Sequence, residues 1–420
     1  MTRQMRRNPP VPSRPDGSDG SHDWLLAHPF DDLYGSDRMF LQSVAVLGPS
    51  RDEHAVGDGG LASTRSDSVR ITAALPDDGA LAAEVRRLGV PVVTAGGPVL
   101  RRAMLTPGGL ARLTAHAAPA VTRLARLLRT LGRPALYVNT VASPFWLPAA
   151  RLAGVPAVVH VHEAEQQLPT AVRRALTAPL LLADAVVTNS NAARDVLLAD
   201  LPSLASRTTV VYNGVPGGPP TPLREQVDGP LRVVFVGRLS PRKAPHLAIE
   251  AIAALRRQGR NVRLDLVGDV FTGYEWYRDQ IDRLIADEKL EDAVTLHGFR
   301  SDVPAFLQRA DVCVVPSEQE PFGNVAVEAM LAGRPVVVSA VQGLAEIVDD
   351  GRNGWSVPPG DVGALAGALA RVHDQWPRAR SVAAAGAADA RDRFSVERYA
   401  IDLREVLTSV TDGRAGHAVR

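Results

Sequence analysis

Two glutamates eight positions apart, Glu320 and Glu328, bracket the turn Pro321-Phe322-Gly323 and the start of a helical stretch. The segment EPFGNVAVEAMLAGRPVVVSA (320–340) puts one carboxylate before that helix and the other about one turn inside it. The free N–H groups and positive dipole end of a helix start suit an anion, most simply a phosphate. Neither carboxylate would touch that phosphate, because like charges repel. Carboxylates accept hydrogen bonds from hydroxyls, and sugars and riboses carry hydroxyls in pairs. A ligand with phosphates in its middle and a polyol at each end fits this arrangement, and a nucleoside diphosphate sugar has that shape. Taken singly, each glutamate reads equally well as a solvated helix residue or an ordinary turn residue.

The elements that must position these residues follow a β-α rhythm. Short apolar runs, most of them β-branched, recur at 24–27, 69–75, 91–95, 135–139, 157–161, 185–188 and 208–212, and alanine- and leucine-rich segments of helical length separate most of them. This pattern predicts a parallel sheet covered by helices on both faces. The polar, glycine-rich stretch 48–68 breaks the rhythm and reads as a flexible loop. Residues 213–230, with five prolines and four glycines, read as an interdomain linker. The rhythm restarts with strands at 231–237, 262–268, 293–298, 312–316 and 335–339, separated by helices at 244–258, 275–289, 302–310 and 324–332. A final helix is expected over 395–410, with Ser395 as its cap. The fold class is therefore α/β, with two Rossmann-like doubly wound domains. The first spans 21–212, the second 231–394, and tails are expected at 1–20 and 411–420. In such sheets ligands bind beyond the carboxyl ends of the strands, so the loops after 231–237 and 312–316 are where chemistry is expected.

Composition narrows the classes. The chain has 420 residues, 45% apolar and 22% charged, enough for two or three ordinary domains. A net charge of +1 argues against a polyanion-binding surface over the whole protein, so no nucleic-acid partner is expected. The lone Cys313, within the apolar run 312–315, reads as a buried structural thiol. No apolar run reaches the length of a membrane span, and the arginine-containing N-terminus lacks the apolar core of a secretory signal. A cytoplasmic protein is expected. In the stretch 120–131, Arg123, Arg126 and Arg129 recur at three-residue spacing beside leucines. Such a face can rest peripherally on an anionic membrane, and ordinary surface helices carry the same pattern.

The motifs also occur in an ordered series. Glu320-Pro-Phe-Gly to Glu328-Ala-Met, then Gly333-Arg-Pro-Val-Val, resembles the E-x7-E motif of retaining GT-B glycosyltransferases, in particular family four. VVYNGV (210–215), VGRLSPRK (236–243), HGF (297–299), ADVCVVPS (310–317), GLAEIVDDGRNGW (343–355) and VPPGD (357–361) are similar to further segments of that family in the same order. The resemblance is strong over about 208–373 and weaker before it. It implies that Glu328 binds the donor's ribose and Glu320 the transferred sugar. It implies that the backbone of Phe322, Gly323 and Asn324 approaches the sugar and diphosphate. Arg238 and Lys243 match the basic pair that holds the diphosphate and stabilises it as a leaving group, a role that suits their place after the strand 231–237. Where the family often has glycine after that lysine, this chain has Ala244. His162, after the strand 157–161, matches a histidine that reaches the donor sugar from the N-terminal domain. Gly35, in Tyr34-Gly35-Ser36-Asp37-Arg38, matches a glycine loop near the donor phosphates, where Ser36 or Asp37 can cap a helix. His160 reads as structural.

The implied reaction transfers a hexosyl group from a nucleoside diphosphate sugar to a glycan, lipid-linked or small-molecule acceptor, with retention and with the last helix crossing back to the first domain. No metal ligand set and no cofactor is expected: Asp-x-Asp is absent, as are a Walker-type phosphate loop, a G-x-G-x-x-G after a predicted strand, and a G-x-S-x-G elbow. HEAEQ (162–166) lacks the second histidine of a zinc-protease motif. Two other readings stand beside transfer. One is an epimerase or phosphorylase on the same fold, and the other is a nucleotide-sugar sensor or non-catalytic partner subunit. Turnover of a nucleotide sugar separates a sensor from an enzyme.

Overall fold

The structure, a computed structural model, describes residues 23–31, 35–48, 70–99, 107–164, 168–217 and 220–413. The expected tail 1–20, residues 49–68 of the polar stretch, Tyr34 and residues 414–420 lie outside the described residues. The described chain forms two compact units. One is built from the chain up to Asn189 with Arg194–Val211 and the chain from Ala400, and the other from Ser190–Ala193 and Tyr212–Tyr399.

The first unit holds a seven-stranded sheet of β1 (Trp24–Ala27), β2 (Ile71–Leu75), β3 (Val92–Thr94), β4 (Ala135–Asn139), β5 (Ala157–Val161), β6 (Ala185–Thr188) and β7 (Thr208–Val210). Their order is β3-β2-β1-β4-β5-β6-β7, and every pairing is parallel. β1, β4, β5 and β6 are buried at every position, as strands covered on both faces must be, whereas the edge strands β3 and β7 are half-exposed. Helices α1 (Gly35–Leu47), α2 (Ala80–Arg87), α3 (Pro107–Thr130), α4 (Trp146–Ala153), α5 (Thr170–Thr177) and α6 (Asn191–Asp200) connect them.

α3 is longer than the expected 120–131 and runs through Pro119. Proline removes one backbone donor, at a cost of about 3 kcal/mol or more. Burial of Leu124, Ala125 and Leu128 in the core of this unit offsets it. Leu124, Leu127 and Leu128 thus face the core. Arg123, Arg126 and Arg129 are exposed, Arg123 donating to the Gly96 carbonyl at 2.6 Å and Arg129 to the Leu152 carbonyl.

The second unit holds a six-stranded sheet ordered β10-β9-β8-β11-β12-β13. Its strands are β8 (Leu231–Val236), β9 (Val262–Val267), β10 (Val294–Leu296), β11 (Val312–Val315), β12 (Val336–Ser339) and β13 (Trp355–Val357), again all parallel. Period-two alternation fills both layers. Val233, Phe235, Val312, Val314 and Val337 join one apolar cluster, and Val234, Cys313, Val315, Val336 and Val338 the other. Helices α7 (Pro245–Arg257), α8 (Glu275–Asp287), α9 (Val303–Arg309) and α10 (Asn324–Leu331) fall where expected. α11 (Gln342–Ile347), α12 (Val362–Asp374) and α13 (Trp376–Phe394), with β13, lie in a region where the apolar pattern announced no element.

α10 ends in a Schellman motif. The Gly333 N–H bonds to the Met330 carbonyl and the Arg334 N–H to the Ala329 carbonyl, with Gly333 at φ +75°. The proline-rich stretch 213–230 lies against this unit. Arg224 pairs with the fully buried Asp311, and Trp376 donates to the Arg224 carbonyl at 3.0 Å. The last helix, α14 (Val396–Thr411), is capped by Ser395, whose Oγ accepts from the Arg398 N–H at 3.3 Å. From Ala400 onward it groups with the first unit, where Arg404 donates to the Val46 carbonyl. No described helix is long and apolar enough to cross a membrane.

Candidate active site

In each sheet the strand order reverses at one place, between β1 and β4 in the first and between β8 and β11 in the second. Loops leaving the carboxyl ends of the strands on either side of such a reversal diverge and leave a crevice. The expected site residues lie in or just beyond these two sets of loops, except His162, which follows β5, one strand away from the reversal. Arg238, Lys243, Glu320, Phe322, Gly323, Asn324 and Glu328 belong to the second unit, Gly35 and His162 to the first.

In the second unit, the loop after β8 makes a tight turn in which the Lys243 and Ala244 N–H groups both bond to the Ser240 carbonyl at 3.0 Å. Ala244 takes the left-handed conformation, φ +50° and ψ 47°, that glycine would adopt without strain. This turn aims Lys243 at Glu320: its Nζ contacts Glu320 Oε2. Ser317 donates to the same carboxylate oxygen at 3.2 Å. The Glu318 N–H bonds to the Arg242 carbonyl at 2.9 Å, tying the loop after β8 to the loop after β11. Glu320 is only 8% exposed. Its backbone is held from behind by α11, with its N–H donating to Gln342 Oε1 at 2.8 Å and its carbonyl accepting from the Gly343 N–H at 3.0 Å. Gly343 packs so closely that a Cβ there would lie 2.5 Å from the Phe322 backbone.

Phe322 turns its ring into the core beside Tyr212 and Phe394. Gly323, at φ +124°, precedes Asn324, the first residue of α10, whose Oδ1 accepts from Asn213 Nδ2 at 2.9 Å. Glu328 lies one turn into α10 and is half-buried. Burial, with this carboxylate nearby, pushes the Cys313 thiol above its ordinary range, so Cys313 is an inert core group. Arg238 lies with its guanidinium 3.6 Å from the centroid of the Phe271 ring, a cation–π contact. Close packing carries these loops. Gly268 would place a Cβ 1.8 Å from the Gly237 carbonyl oxygen, and its N–H bonds to the Gly298 carbonyl at 2.9 Å.

In the first unit the ends of β1, β4 and β5 carry a buried polar network. His28 Nε2 bonds to Asp37 Oδ1 at 2.8 Å, and Ser36 Oγ donates to the same oxygen at 3.2 Å. Asn139 Nδ2 lies 3.0 Å from His28 Nδ1 and 3.1 Å from the Ser36 carbonyl oxygen, and Asn139 Oδ1 lies 2.7 Å from His162 Nε2. His160 is wholly buried and bonds through Nδ1 to the Tyr137 hydroxyl at 2.7 Å, consistent with a structural role. Burial, with His28 nearby, holds the His162 imidazole down at about 3, so the ring is neutral. Burial and the neighbouring His162 lower His160 likewise. Glu163 shows the reverse: burial raises its carboxyl, while hydrogen bonds from Thr140 and from backbone N–H groups pull it back. Thr140 sits at φ +96°, a rare conformation for a β-branched residue.

Asp37, named above with Ser36 as a candidate helix cap, turns its carboxylate to His28 and Ser36. Sequence reasoning did not single out His28, Asn139, Phe271, Ser317 or Gln342. For His28 and Asn139 a signal was present. Each is a polar residue ending a wholly apolar strand at the carboxyl side. Phe271 comes from the loop after β9 and Gln342 from the start of α11, and only the packing brings them in.

The geometry is that of two open α/β units, one with a cation–carboxylate pair before a helix N-terminus and the other with a neutral histidine. Comparison with known proteins agrees. Residues 224–389 match the family Glycosyl transferases group 1, and residues 68–216 match Glycosyltransferase Family 4. A D-inositol 3-phosphate glycosyltransferase of Stackebrandtia nassauensis is 32% identical over 306 residues, covering 64% of this chain and 68% of that protein. A glycogen synthase of Mycobacterium tuberculosis is 35% identical over 194 residues, so the match spans about half of each protein, 46% of either. Among solved structures, Anabaena Alr3699/HepE, in complex with UDP and with UDP and glucose, matches with TM-score 0.74 and 25% identity over 92% of this chain and 100% of that one. The chain belongs to the GT-B glycosyltransferases of the family-four type.

Proposed function

We propose that the chain transfers a hexosyl group from a nucleoside diphosphate sugar to an acceptor hydroxyl, with retention at the anomeric carbon. The observation that carries this is the contact of Lys243 with Glu320 where the second sheet reverses, just before the N-terminus of α10. Lys243 and Arg238 would hold the diphosphate. Glu320 would accept from hydroxyls of the transferred sugar and Glu328 from the ribose, with the backbone of Phe322 to Asn324 against the phosphates. The acceptor oxygen would bond to the anomeric carbon on the face that the diphosphate leaves. As the carbon–oxygen bond to phosphate breaks, the acceptor proton passes to the departing diphosphate oxygen. The two cations would stabilise the charge that develops there. No metal and no cofactor is assigned a part.

UDP is the expected nucleotide, because the Anabaena structure is a UDP complex. A glycan acceptor, as in polysaccharide or lipid-linked glycan assembly, is the first reading and accords with the glycogen synthase match. A small polyol acceptor is the second, favoured by the wider coverage of the inositol phosphate glycosyltransferase.

The test is a binding titration with UDP, GDP, ADP and dTDP beside Glu328→Ala. Tight binding of one nucleotide, weakened about tenfold or more in a folded Glu328→Ala, is expected. Normal affinity in that variant would remove Glu328 from the ribose site. Binding of a nucleotide sugar with no turnover would favour a sensor.

A further inference from the structure

The polar network of the first unit has its hydrogens fixed by one backbone group. The Ser36 oxygen is a carbonyl and can only accept, so the Asn139 atom 3.1 Å from it must be the amide nitrogen. The other amide atom, Oδ1, therefore faces His162 Nε2 at 2.7 Å, and Nε2 must carry the proton. The second amide hydrogen of Asn139 points at His28 Nδ1, 3.0 Å away, which must then be a bare acceptor. The more distant Asn139 carbonyl, 3.3 Å from that same Nδ1, receives no proton from it. His28 consequently carries its proton on Nε2, where the Asp37 carboxylate accepts it at 2.8 Å. Every bond in the chain runs one way, from His162 through Asn139 and from Asn139 through His28 to Asp37. What remains is His162 Nδ1, a buried lone pair with no hydrogen-bond partner. A buried, unpaired acceptor is costly, and a bound donor recovers that cost.

We infer that Asn139, His28 and Asp37 are positioning residues that lock His162 with its proton on Nε2, so that its bare Nδ1 accepts a hydrogen bond from a hydroxyl of the bound sugar or acceptor. The hydroxyl partner rests on the glycosyl-transfer reading, whereas the order of protons in the chain does not. A site built this way selects for a hydroxyl at that position, because an analogue lacking it leaves Nδ1 unpaired.

The experiment is 15N NMR of the full chain labelled at its ten histidines, with His162 assigned by the signals lost in His162→Gln. At neutral pH His162 is expected to show a protonated Nε2 and an imine-type Nδ1. Titration with UDP-glucose should move the Nδ1 signal and leave Nε2 protonated. In Asn139→Ala the two tautomers should mix, and kcat/KM for UDP-glucose should fall about tenfold or more. UDP affinity should stay within about twofold, since its proposed contacts lie in the second unit. Asn139→Asp keeps an oxygen toward His162 but replaces the donor to His28. It should preserve the His162 tautomer and turn His28 into an imidazolium, a change that a merely structural role would not produce. A wild-type His162 protonated on Nδ1 overturns the proposal, as does an Asn139→Ala that folds with His162 tautomer and turnover unaltered. If Asn139→Ala does not fold, the wild-type and Asn139→Asp spectra decide. If no nucleotide sugar is turned over, the transfer reading fails while the tautomer pattern still upholds or overturns the proton order.

Discussion

Lys243 holds Glu320 by a direct ion pair, and a diphosphate arriving at the same place must compete for that lysine. Removing the carboxylate's charge should therefore free the cation. Glu320→Gln is expected to bind UDP several-fold more tightly, up to about tenfold, while turnover falls about a hundredfold because the sugar hydroxyls lose their charged acceptor. Titration beside initial-rate assays checks this, and UDP binding weakened by Glu320→Gln would remove the competition. Acid should also act on single residues. His162 titrates at about 3 in the fold and near its ordinary 6.5 when unfolded. The unfolded chain thus takes the proton first. Its contribution is complete above about 6.5 and is lost as pH falls toward 3, by up to about 1.4 kcal/mol per pH unit. His160 acts in the same direction. Glu163, raised by burial, acts in the opposite one, stabilising in acid and losing that as pH rises through its folded value. Two imidazoles against one carboxyl should give a Tm that drops from pH 6.5 to 4. The drop should be shallower in His162→Gln, and an identical slope would mean that the ring is not held neutral.

At the scale of elements, strained backbone collects beside the candidate site. Thr140, Ala244 and Gln342 are three of the five non-glycine residues with positive φ among the described residues, and each sits in or against the loops that carry candidate residues. Ala244→Gly relieves about 1 kcal/mol of left-handed strain but loses a buried methyl worth about 0.8 kcal/mol. Denaturant melts should find it nearly neutral, and a loss above about 2 kcal/mol would mean that the methyl's packing dominates. Gly323→Ala should behave differently. Its φ of +124° disfavours any side chain, and a Cβ would lie 2.5 Å from Leu344 Cδ2. A cost of about 2 kcal/mol or more, with loss of UDP binding, is expected. The limits of α10 were legible because glycine brackets it on both sides and proline follows. α13 was not, because AAAGAADA carries no apolar stripe. It packs through Ala383, Gly386, Ala387 and Ala390, and Gly386 is tight enough that a Cβ would lie 2.6 Å from the Asn353 carbonyl oxygen. Small residues permit close approach without announcing it.

At the scale of the whole chain, each unit has its own apolar cluster or clusters. UDP alone should stabilise the unit that holds its proposed contacts. At a hundred times its Kd it should add about 2.7 kcal/mol there. Hydrogen exchange should show new protection in 237–244 and 316–324, with β1, β4 and β5 unchanged. Protection spread equally over both units would argue against a donor site built from the second.

The sequence by itself determined the class of fold, most of its strands and the ordered motifs from Arg238 to Glu328. These are local: β-branched runs, glycine and proline stops, and charges that follow a strand are written in consecutive residues. Tertiary structure alone decided the strand order of both sheets, the pairing of Lys243 with Glu320 across the sequence, the Phe271 face under Arg238, and the chain from Asp37 to His162. Such contacts join residues far apart in the chain, and hydrogen-bond direction depends on which acceptor lies opposite which donor. No periodicity encodes that, so it exists only once β1, β4 and β5 lie side by side.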